Sequence, residues 1–397
     1  MSLIYLDNSA TTRPLSGVID AVSRAMAEEY GNPSSLHRLG MQAETAIEQA
    51  RTDVARLLGA DRDELYFTSG ATESNNVIIR GIVETRRHRG NHVIITSVEH
   101  PSVKRLCEEL EKKGTEVTYL PVDEWGHIDP RDVDRSLRSD TVLCSVMAVN
   151  NEVGSVQPLA EVGQILARSA SPRPVFHTDA VQAVGKLDLR WSDLGIDSLS
   201  LSAHKFHGPR GVGALYVRIG LDLPPLITGG GQERGLRSGT ENTPGILGMA
   251  EAARWLRNEG SAAYARLRHL RRYLGEQILK TIPDSHVNGP PPDASEEKAA
   301  PHILNISFPG IRGETLVHAL EERGIFVSTG SACSSRRADE RTAVDAMPIG
   351  DERAQSAIRI SLCPFNTRQE INSLLSVLEQ TVPALRRISS RMGRGGR

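Results

Sequence analysis

Helical and strand patterns alternate along the chain between residues 15 and 256. A helix-period segment at 43–58 ends at Gly59, and short apolar runs typical of strands occupy 65–67, 93–95, 117–120, 142–146 and 175–176. This alternation predicts an α/β fold with a mostly parallel sheet that helices cover on both faces. Because ligands bind beyond the carboxyl ends of the strands in such sheets, the residues after each strand are the first candidates for a site.

The pattern changes after residue 257. A long helical segment at 262–279 leads to a proline-rich connection, and the elements that follow are a strand at 303–308, a helix at 315–322 and a strand at 325–327. We therefore expect a second, smaller α/β domain, which a chain of 397 residues is long enough to contain.

Composition argues against several classes of protein. The net charge is −2 and 24% of the residues are charged, so we expect no broad basic surface and no nucleic-acid partner. No run of 18 apolar residues could cross a membrane, and the N-terminus lacks a basic region leading into an apolar core, so we expect a cytoplasmic protein. The four cysteines have no CxxC or Cys/His spacing, which argues against a disulfide framework and a structural metal site.

A loop of small hydroxyl residues, TSGATESNN at 68–76, follows the first predicted strand. It leads into a helix, whose free N–H groups and positive dipole end suit a phosphate group. The loop has neither the lysine of a GxxxxGK[ST] motif nor GxGxxG spacing, so a nucleotide site is poorly supported. Ordinary capping of the helix is the alternative.

Four further polar residues each follow a predicted strand: His100, Asn151, Asp179 and Lys205. A carboxylate and a lysine at two strand ends are what a pyridinium-bearing cofactor requires, one for its ring nitrogen and the other for its aldehyde. Taken singly, His100 could equally be a surface group, Asp179 a helix cap and Lys205 a solvated loop residue.

An ordered set of motifs resembles the cysteine desulfurases, a family of pyridoxal-phosphate (PLP) enzymes with the aminotransferase-like fold (fold type I). The set covers nearly the whole chain: DNSATT (7–12), GNPSS (31–35), SGATESNN (69–76), EH (99–100), NNE (150–152), HTDAVQ (177–182), SAHK (202–205) and GGGQER (229–234). The resemblance implies a large PLP-binding domain at 13–257. It also implies a small domain, formed by 1–12 and 258–397, that carries a catalytic cysteine loop.

The resemblance further implies a role for each residue at a matching position. Lys205 would bond the cofactor aldehyde, and His100 would stack on the pyridine ring and take part in proton transfer. Asp179 would pair with the ring nitrogen and Gln182 with the ring hydroxyl.

The remaining matches concern substrate and phosphate. Asn151 would contact cofactor and substrate, and Arg359 would bind the substrate carboxylate, which suits a planar guanidinium. An exposed position on a strand is the alternative for Arg359. Because the family forms homodimers, the expected phosphate ligands come from both subunits: Ala71, Thr72, Ser202 and His204 of one, with Thr240 of the partner subunit.

A loop of small residues at 328–337 contains Cys333 and ends in Arg336 and Arg337. A basic environment favours thiolate over thiol. The loop resembles that of the desulfurase subgroup with a long catalytic loop, which implies that Cys333 attacks the substrate sulfur. A loop cysteine without a function is the alternative. The other cysteines, expected in a helix, a buried strand and a strand end, are predicted to be inert: Cys107, Cys144 and Cys363.

The reaction implied by the resemblance removes sulfur from L-cysteine and gives L-alanine and a Cys333 persulfide. The sulfur would pass to an acceptor or iron–sulfur scaffold protein, for iron–sulfur cluster or thio-modification biosynthesis. One alternative is an aminotransferase or a β-eliminating lyase of the same fold, which needs Lys205 and Asp179 but no mobile cysteine. Another is a non-catalytic sulfur-relay subunit, which keeps the fold without turnover. Two segments depart from the family pattern, 341–342 after the loop and 363–364 near Arg359.

Overall fold

The computed structural model describes residues 3–169, 173–329 and 342–394. Within these ranges no helix is both long and apolar enough to cross a membrane. The strands are β1 (Ile4–Tyr5), β2 (Leu65–Thr68), β3 (His92–Thr96), β4 (Glu116–Leu120), β5 (Thr141–Ser145), β6 (Val175–Asp179), β7 (Ser198–Ser202), β8 (Gly213–Val217), β9 (His286–Asn288), β10 (Ile303–Ser307), β11 (Ile325–Phe326) and β12 (Ala357–Ser361).

The described helices include those that the sequence predicts at 43–58, after the strand at 65–67, at 262–279 and at 315–322. They are α1 (Ser16–Glu28), α2 (Arg38–Leu58), α3 (Ala71–Thr85), α4 (Pro101–Glu111), α5 (Pro130–Ser136), α6 (Leu159–Arg168), α7 (Thr243–Trp255), α8 (Ser261–Thr281), α9 (Gly313–Glu321), α10 (Ala343–Ala346), α11 (Asp351–Gln355) and α12 (Arg368–Arg394).

A seven-stranded sheet with the order β2-β8-β7-β6-β5-β3-β4 forms the centre of the fold. β8 is antiparallel to both of its neighbours, whereas the successive pairs from β7 to β4 are parallel. The predicted mostly parallel sheet is therefore confirmed. Because of these strand directions, the carboxyl ends of β2, β3, β5, β6 and β7 lie at the same edge of the sheet.

Helices cover both faces of this sheet, and β3 shows why. Its alternate residues Val93 and Ile95 pack in a core with α3 and α4, whereas Ile94 packs in a second core with α2 and α7. All three side chains are fully buried. Burial of a side chain of this size stabilises the fold by roughly 1.5–3 kcal/mol, so a strand buried on both faces is apolar throughout.

Two smaller sheets bring the ends of the chain together. β10 pairs antiparallel with β12 and β9, and β1 pairs parallel with β11. Isolated bridges also join Asp7 to Ser361 and Ser328 to Arg359. The N-terminal residues therefore lie beside the strand that carries Arg359.

Candidate active site

A cavity of about 500 Å³ opens beyond the carboxyl ends of the parallel strands, at the edge where the sequence predicts a site. Thr240 is exposed and does not line it, and Cys333 lies outside the described residues. All other predicted site residues line the cavity: Ala71, Thr72, His100, Asn151, Asp179, Gln182, Ser202, His204, Lys205 and Arg359.

The loop after β2 and the end of β7 form an anion cradle. Gly70 precedes the 15-residue α3 with a φ of 153°, and none of the described side chains caps this helix. A Cβ at Gly70 would lie 3.3 Å from Ser202 Oγ, so glycine permits the loop and β7 to approach closely. The N–H groups of the first turn are thus available for a phosphate beside Ser202.

His204 adds a neutral ring to this cradle. Burial and the neighbouring Lys205 lower the pKa of His204 to about 3. Its Nδ1 lies 3.2 Å from Thr11 Oγ1. His204 can therefore contribute a hydrogen bond to an anion, but not a positive charge.

Lys205 ends a single turn after β7, and its amine points into the cavity. Its Nζ donates hydrogen bonds to the carbonyl oxygens of Ser9 (2.7 Å) and Ala10 (2.9 Å). The N-terminal segment holds the turn on both sides, because the N–H of Thr12 donates to His204 O and the N–H of His207 to Thr12 Oγ1. A solvated loop lysine is excluded by these contacts.

Asp179 is the buried last residue of β6. Its Oδ1 accepts a hydrogen bond from the N–H of Val181 (3.1 Å), and its Oδ2 accepts one from Asn75 Nδ2 (2.9 Å). The carboxylate therefore does cap the following turn, but it also lines the cavity, where it can pair with a cationic ring nitrogen.

His100 is the N-cap of α4. Its Nδ1 accepts a hydrogen bond from the N–H of Ser102 (3.2 Å) and lies 2.8 Å from Ser102 Oγ. Burial lowers the pKa of His100, opposed by the Asp179 carboxylate and aided by Lys205. The ring lines the cavity in its neutral form, which suits both stacking and proton transfer.

Gln182 is oriented from behind the cavity by two buried basic residues. Its Oε1 accepts a hydrogen bond from Lys186 Nζ (2.8 Å) and lies 3.2 Å from His302 Nε2. Burial lowers the pKa of both Lys186 and His302 well below the usual values. With Oε1 turned inward, Nε2 donates to Ser9 O (2.9 Å) and is the end available to a ligand oxygen.

Arg359 lies on β12 with only 2% of its surface exposed, which excludes a surface position. Its Nη1 donates to the carbonyl oxygen of Asn151 (2.9 Å), and its Nη2 donates to Asp7 Oδ1 (2.6 Å). The guanidinium is thus held at the cavity wall beside Asn151, with a carboxylate already bound at one edge.

Sequence reasoning assigned no separate roles to some residues that the structure brings to the cavity. Ser9, Ala10 and Thr11 belong to the DNSATT motif, whose position in the ordered set was the only signal. Arg210 also lines the cavity and follows Lys205 closely, within a glycine-rich segment. No sequence pattern distinguished it from a loop arginine.

The three cysteines that the structure describes are buried. Burial raises the pKa of Cys107 to about 12 and also raises the pKa of Cys144 and Cys363. Each of these thiols therefore disfavours the thiolate that a nucleophile requires.

The central sheet and the lysine, carboxylate and anion cradle at its edge fit PLP and define an enzyme of the class-V aminotransferase family. The model of that family, Aminotransferase class-V, matches residues 4–374. A protein from Dictyoglomus turgidum named "Cysteine desulfurase IscS" is 43% identical over 97% of this chain and 96% of its own length. The chain belongs, within the class-V family, to the PLP-dependent cysteine desulfurases.

Solved structures agree with this assignment. A structure titled "NIFS-LIKE PROTEIN" has a TM-score of 0.89 and 40% identity, covering 96% of this chain and all of its own. A structure titled "SspA in complex with cysteine" has a TM-score of 0.78 and 35% identity, covering 92% of this chain and all of its own. None of these three relatives is named an aminotransferase or a lyase.

Proposed function

We propose that this desulfurase uses the cavity at the sheet edge to bind PLP and L-cysteine, and that it moves the sulfur to Cys333. The observation that carries the assignment of the site is that the Lys205 amine, the Asp179 carboxylate, the uncapped start of α3 and the Arg359 guanidinium line one cavity. The relative solved with cysteine supports the choice of substrate.

The residues proposed to hold the cofactor are those predicted from the sequence. Lys205 would bond the aldehyde, Asp179 would pair with the ring nitrogen and Gln182 Nε2 would meet the ring hydroxyl. Ala71, Thr72, Ser202 and His204 would hold the phosphate. When bound, PLP supplies an electron sink for the electrons released at the substrate Cα.

Arg359 and Asn151 orient the substrate. A guanidinium binds a carboxylate through two parallel hydrogen bonds, and Arg359 already binds one carboxylate, that of Asp7, at the cavity wall. The substrate amine would take the place of Lys205 on the aldehyde, and the freed Lys205 amine would take the Cα proton. The carbonyl groups of Ser9 and Ala10 hold this amine in the cavity.

Sulfur transfer is proposed for Cys333. Its thiolate forms a bond to the substrate sulfur while the Cβ–S bond breaks, and the electron pair of the broken bond stays with the carbon. That carbon takes up a proton and becomes the methyl group of alanine. The neutral His100 ring is the proposed donor, and it takes back the proton that the transferred thiol sulfur gives up, so the ring ends neutral. The persulfide then passes its sulfur to an acceptor or iron–sulfur scaffold protein in the cytoplasm.

A homodimer is proposed to complete the phosphate site with Thr240 of the partner subunit. Glu233, in the same glycine-rich segment, forms a buried ion pair with Arg51 (2.7 Å), which fixes the base of the segment while Thr240 stays exposed. Large apolar side chains are also exposed, as a subunit interface requires: Tyr30, Leu36, Met41, Leu226 and Ile227. A fully active monomer in sedimentation would overturn the proposal.

The proposed domain division places 13–257 in a large domain and 1–12 with 258–397 in a small one. The parallel pairing of β1 with β11 and the bridge from Asp7 to Ser361 support it. The cavity would then lie between the domains, since residues 9–11 and Arg359 face the large domain across it.

The test of sulfur transfer is mass spectrometry after one turnover with L-cysteine. We expect one added sulfur on the peptide that contains Cys333. Cys333→Ala should keep PLP and still exchange the Cα proton, but it should form neither alanine nor sulfide. Cys363→Ala, which removes a buried thiol, is the control and should keep the persulfide. An added sulfur on Cys363 instead would refute the assignment.

A further inference from the structure

We propose that Ser102 and Asn75 are positioning residues that fix the neutral ring of His100 with its proton on Nε2. The inference deepens the proposed function and rests on it, because it concerns the residue proposed to donate a proton to the substrate carbon.

Asp179 fixes the orientation of the Asn75 amide. A carboxylate only accepts hydrogen bonds, so the atom of Asn75 that lies 2.9 Å from Asp179 Oδ2 must be the nitrogen. The reverse orientation would oppose two oxygens. The buried amide keeps this orientation although its Oδ1 has no partner among the described residues. The second hydrogen of Nδ2 is directed at Ser102 Oγ, also at 2.9 Å.

The direction of the bond between Ser102 and His100 follows from that of the bond between Asn75 and Ser102. Ser102 Oγ accepts from Asn75, so its own hydrogen is free to point at His100 Nδ1, 2.8 Å away. The backbone N–H of Ser102 donates to the same nitrogen at 3.2 Å. A ring nitrogen that accepts from two donors cannot carry a hydrogen, so the neutral ring has its proton on Nε2.

The local structure favours the same form. His100 caps the N-terminus of α4, where the helix dipole disfavours positive charge. Burial also lowers the pKa of His100; the Asp179 carboxylate opposes this effect and Lys205 adds to it. A proton on Nδ1 would break the bond from Ser102 Oγ and would point at the hydrogen of the Ser102 backbone N–H. The two donors to Nδ1 therefore hold the ring neutral.

The chain of bonds also links two parts of the proposed chemistry. It runs from Asp179, the partner of the cofactor nitrogen, through Asn75 and Ser102 to His100. The anion that holds the cofactor therefore also sets which nitrogen of His100 carries the proton.

The experiment uses the holoenzyme labelled with ¹⁵N at histidine, with His100→Gln for assignment. In the wild type we expect ¹⁵N shifts of an unprotonated Nδ1 and a protonated Nε2. Ser102→Ala should lower kcat for alanine formation about tenfold, the effect of one hydrogen bond, with little change in KM. It should also move the acidic limb of the kcat profile to higher pH, because loss of a donor to Nδ1 raises the pKa of His100.

Two variants separate positioning from folding. Ser102→Thr keeps the hydroxyl and should restore both kcat and the acidic limb. Ser145→Ala removes a matched buried bond, between Ser145 Oγ and His177 Nδ1 at 2.8 Å, away from the cavity. It should leave the nitrogen shifts of His100 and the acidic limb as in the wild type.

A protonated Nδ1 in the wild type, or an unchanged acidic limb in folded Ser102→Ala, would overturn the inference. If Ser102→Ala does not fold, the wild-type shifts decide alone. These shifts do not depend on turnover, so a wild type that forms no alanine from L-cysteine would refute the proposed function separately.

Discussion

Glu99, directly before His100, is predicted to be protonated in the folded protein at neutral pH. It is buried, and only its Oε1 accepts hydrogen bonds, from Thr96 Oγ1 (2.9 Å) and the N–H of Met147 (2.8 Å). Its Oε2 has no partner within the part of the chain that the structure describes. Burial, with a smaller effect of Asp179, raises the pKa of Glu99 from 4.5 to about 8.

The raised pKa of Glu99 determines whether the protein gains or loses stability as pH rises. Between pH 4.5 and 8 the folded protein keeps a proton that the unfolded chain releases, so the free energy of unfolding falls as pH rises through this window. A shift of 8 − 4.5 = 3.5 units corresponds to at most about 5 kcal/mol, lost progressively up to pH 8.

Glu99→Gln isolates this contribution. Glutamine keeps the shape and the Oε1 acceptor but cannot ionise, so the variant should gain stability relative to the wild type as pH rises from 5 to 9. The assay is urea unfolding of both proteins at these two pH values. Glu109→Gln is the control, because Glu109 is exposed and its pKa is lowered to about 2, so it stays ionised at both.

The prediction would be refuted if the unfolding free energy of Glu99→Gln differed from that of the wild type by the same amount at pH 5 and at pH 9. It would mean that Glu99 is ionised when folded, and that Oε2 has a hydrogen-bond donor. A gain in the control equal to that of Glu99→Gln would show a general effect of removing negative charge.

Three further predictions test the proposed site. Arg359→Lys should raise KM for L-cysteine about 10- to 100-fold, because the ammonium cannot bind a carboxylate bidentately; an unchanged KM would remove Arg359 from substrate binding. Asp179→Asn should retain PLP, seen by absorbance, but form alanine about 100-fold more slowly or worse; a near wild-type rate would refute the pairing with the ring nitrogen. Lys186→Met removes the 2.8 Å bond to Gln182 Oε1 and should lose PLP on dialysis about fivefold faster; wild-type retention would show that Gln182 needs no such support.

The sequence predicts the fold and the edge where the cavity lies because both depend on local patterns. Apolar runs identify the strands, and the parallel sheet follows from their alternation with helices. His100, Asp179 and Lys205 each follow a strand, so a parallel sheet brings them to one edge whatever the details of packing. This geometry removes the surface alternative for His100 and the solvated-loop alternative for Lys205, whereas Asp179 both caps a turn and lines the cavity.

Contacts between distant segments could not be predicted in this way. The ion pair of Arg359 with Asp7 spans 352 residues, and the bonds of Lys205 to Ser9 and Ala10 span nearly 200. Neither pair has a periodic signal, because both depend on how the N-terminal segment packs across the sheet edge. Helix α12, after β12, also has no predicted counterpart.

The two acidic residues near His100 differ in ways that only atomic positions reveal. Asp179 accepts hydrogen bonds on both oxygens and lines the cavity, whereas Glu99 accepts on one and lies buried outside it. Two neighbouring carboxylates would repel each other, so protonation of Glu99 leaves Asp179 as the anion beside His100. One negative charge then serves both the proposed cofactor nitrogen and, through Asn75 and Ser102, the proton on His100.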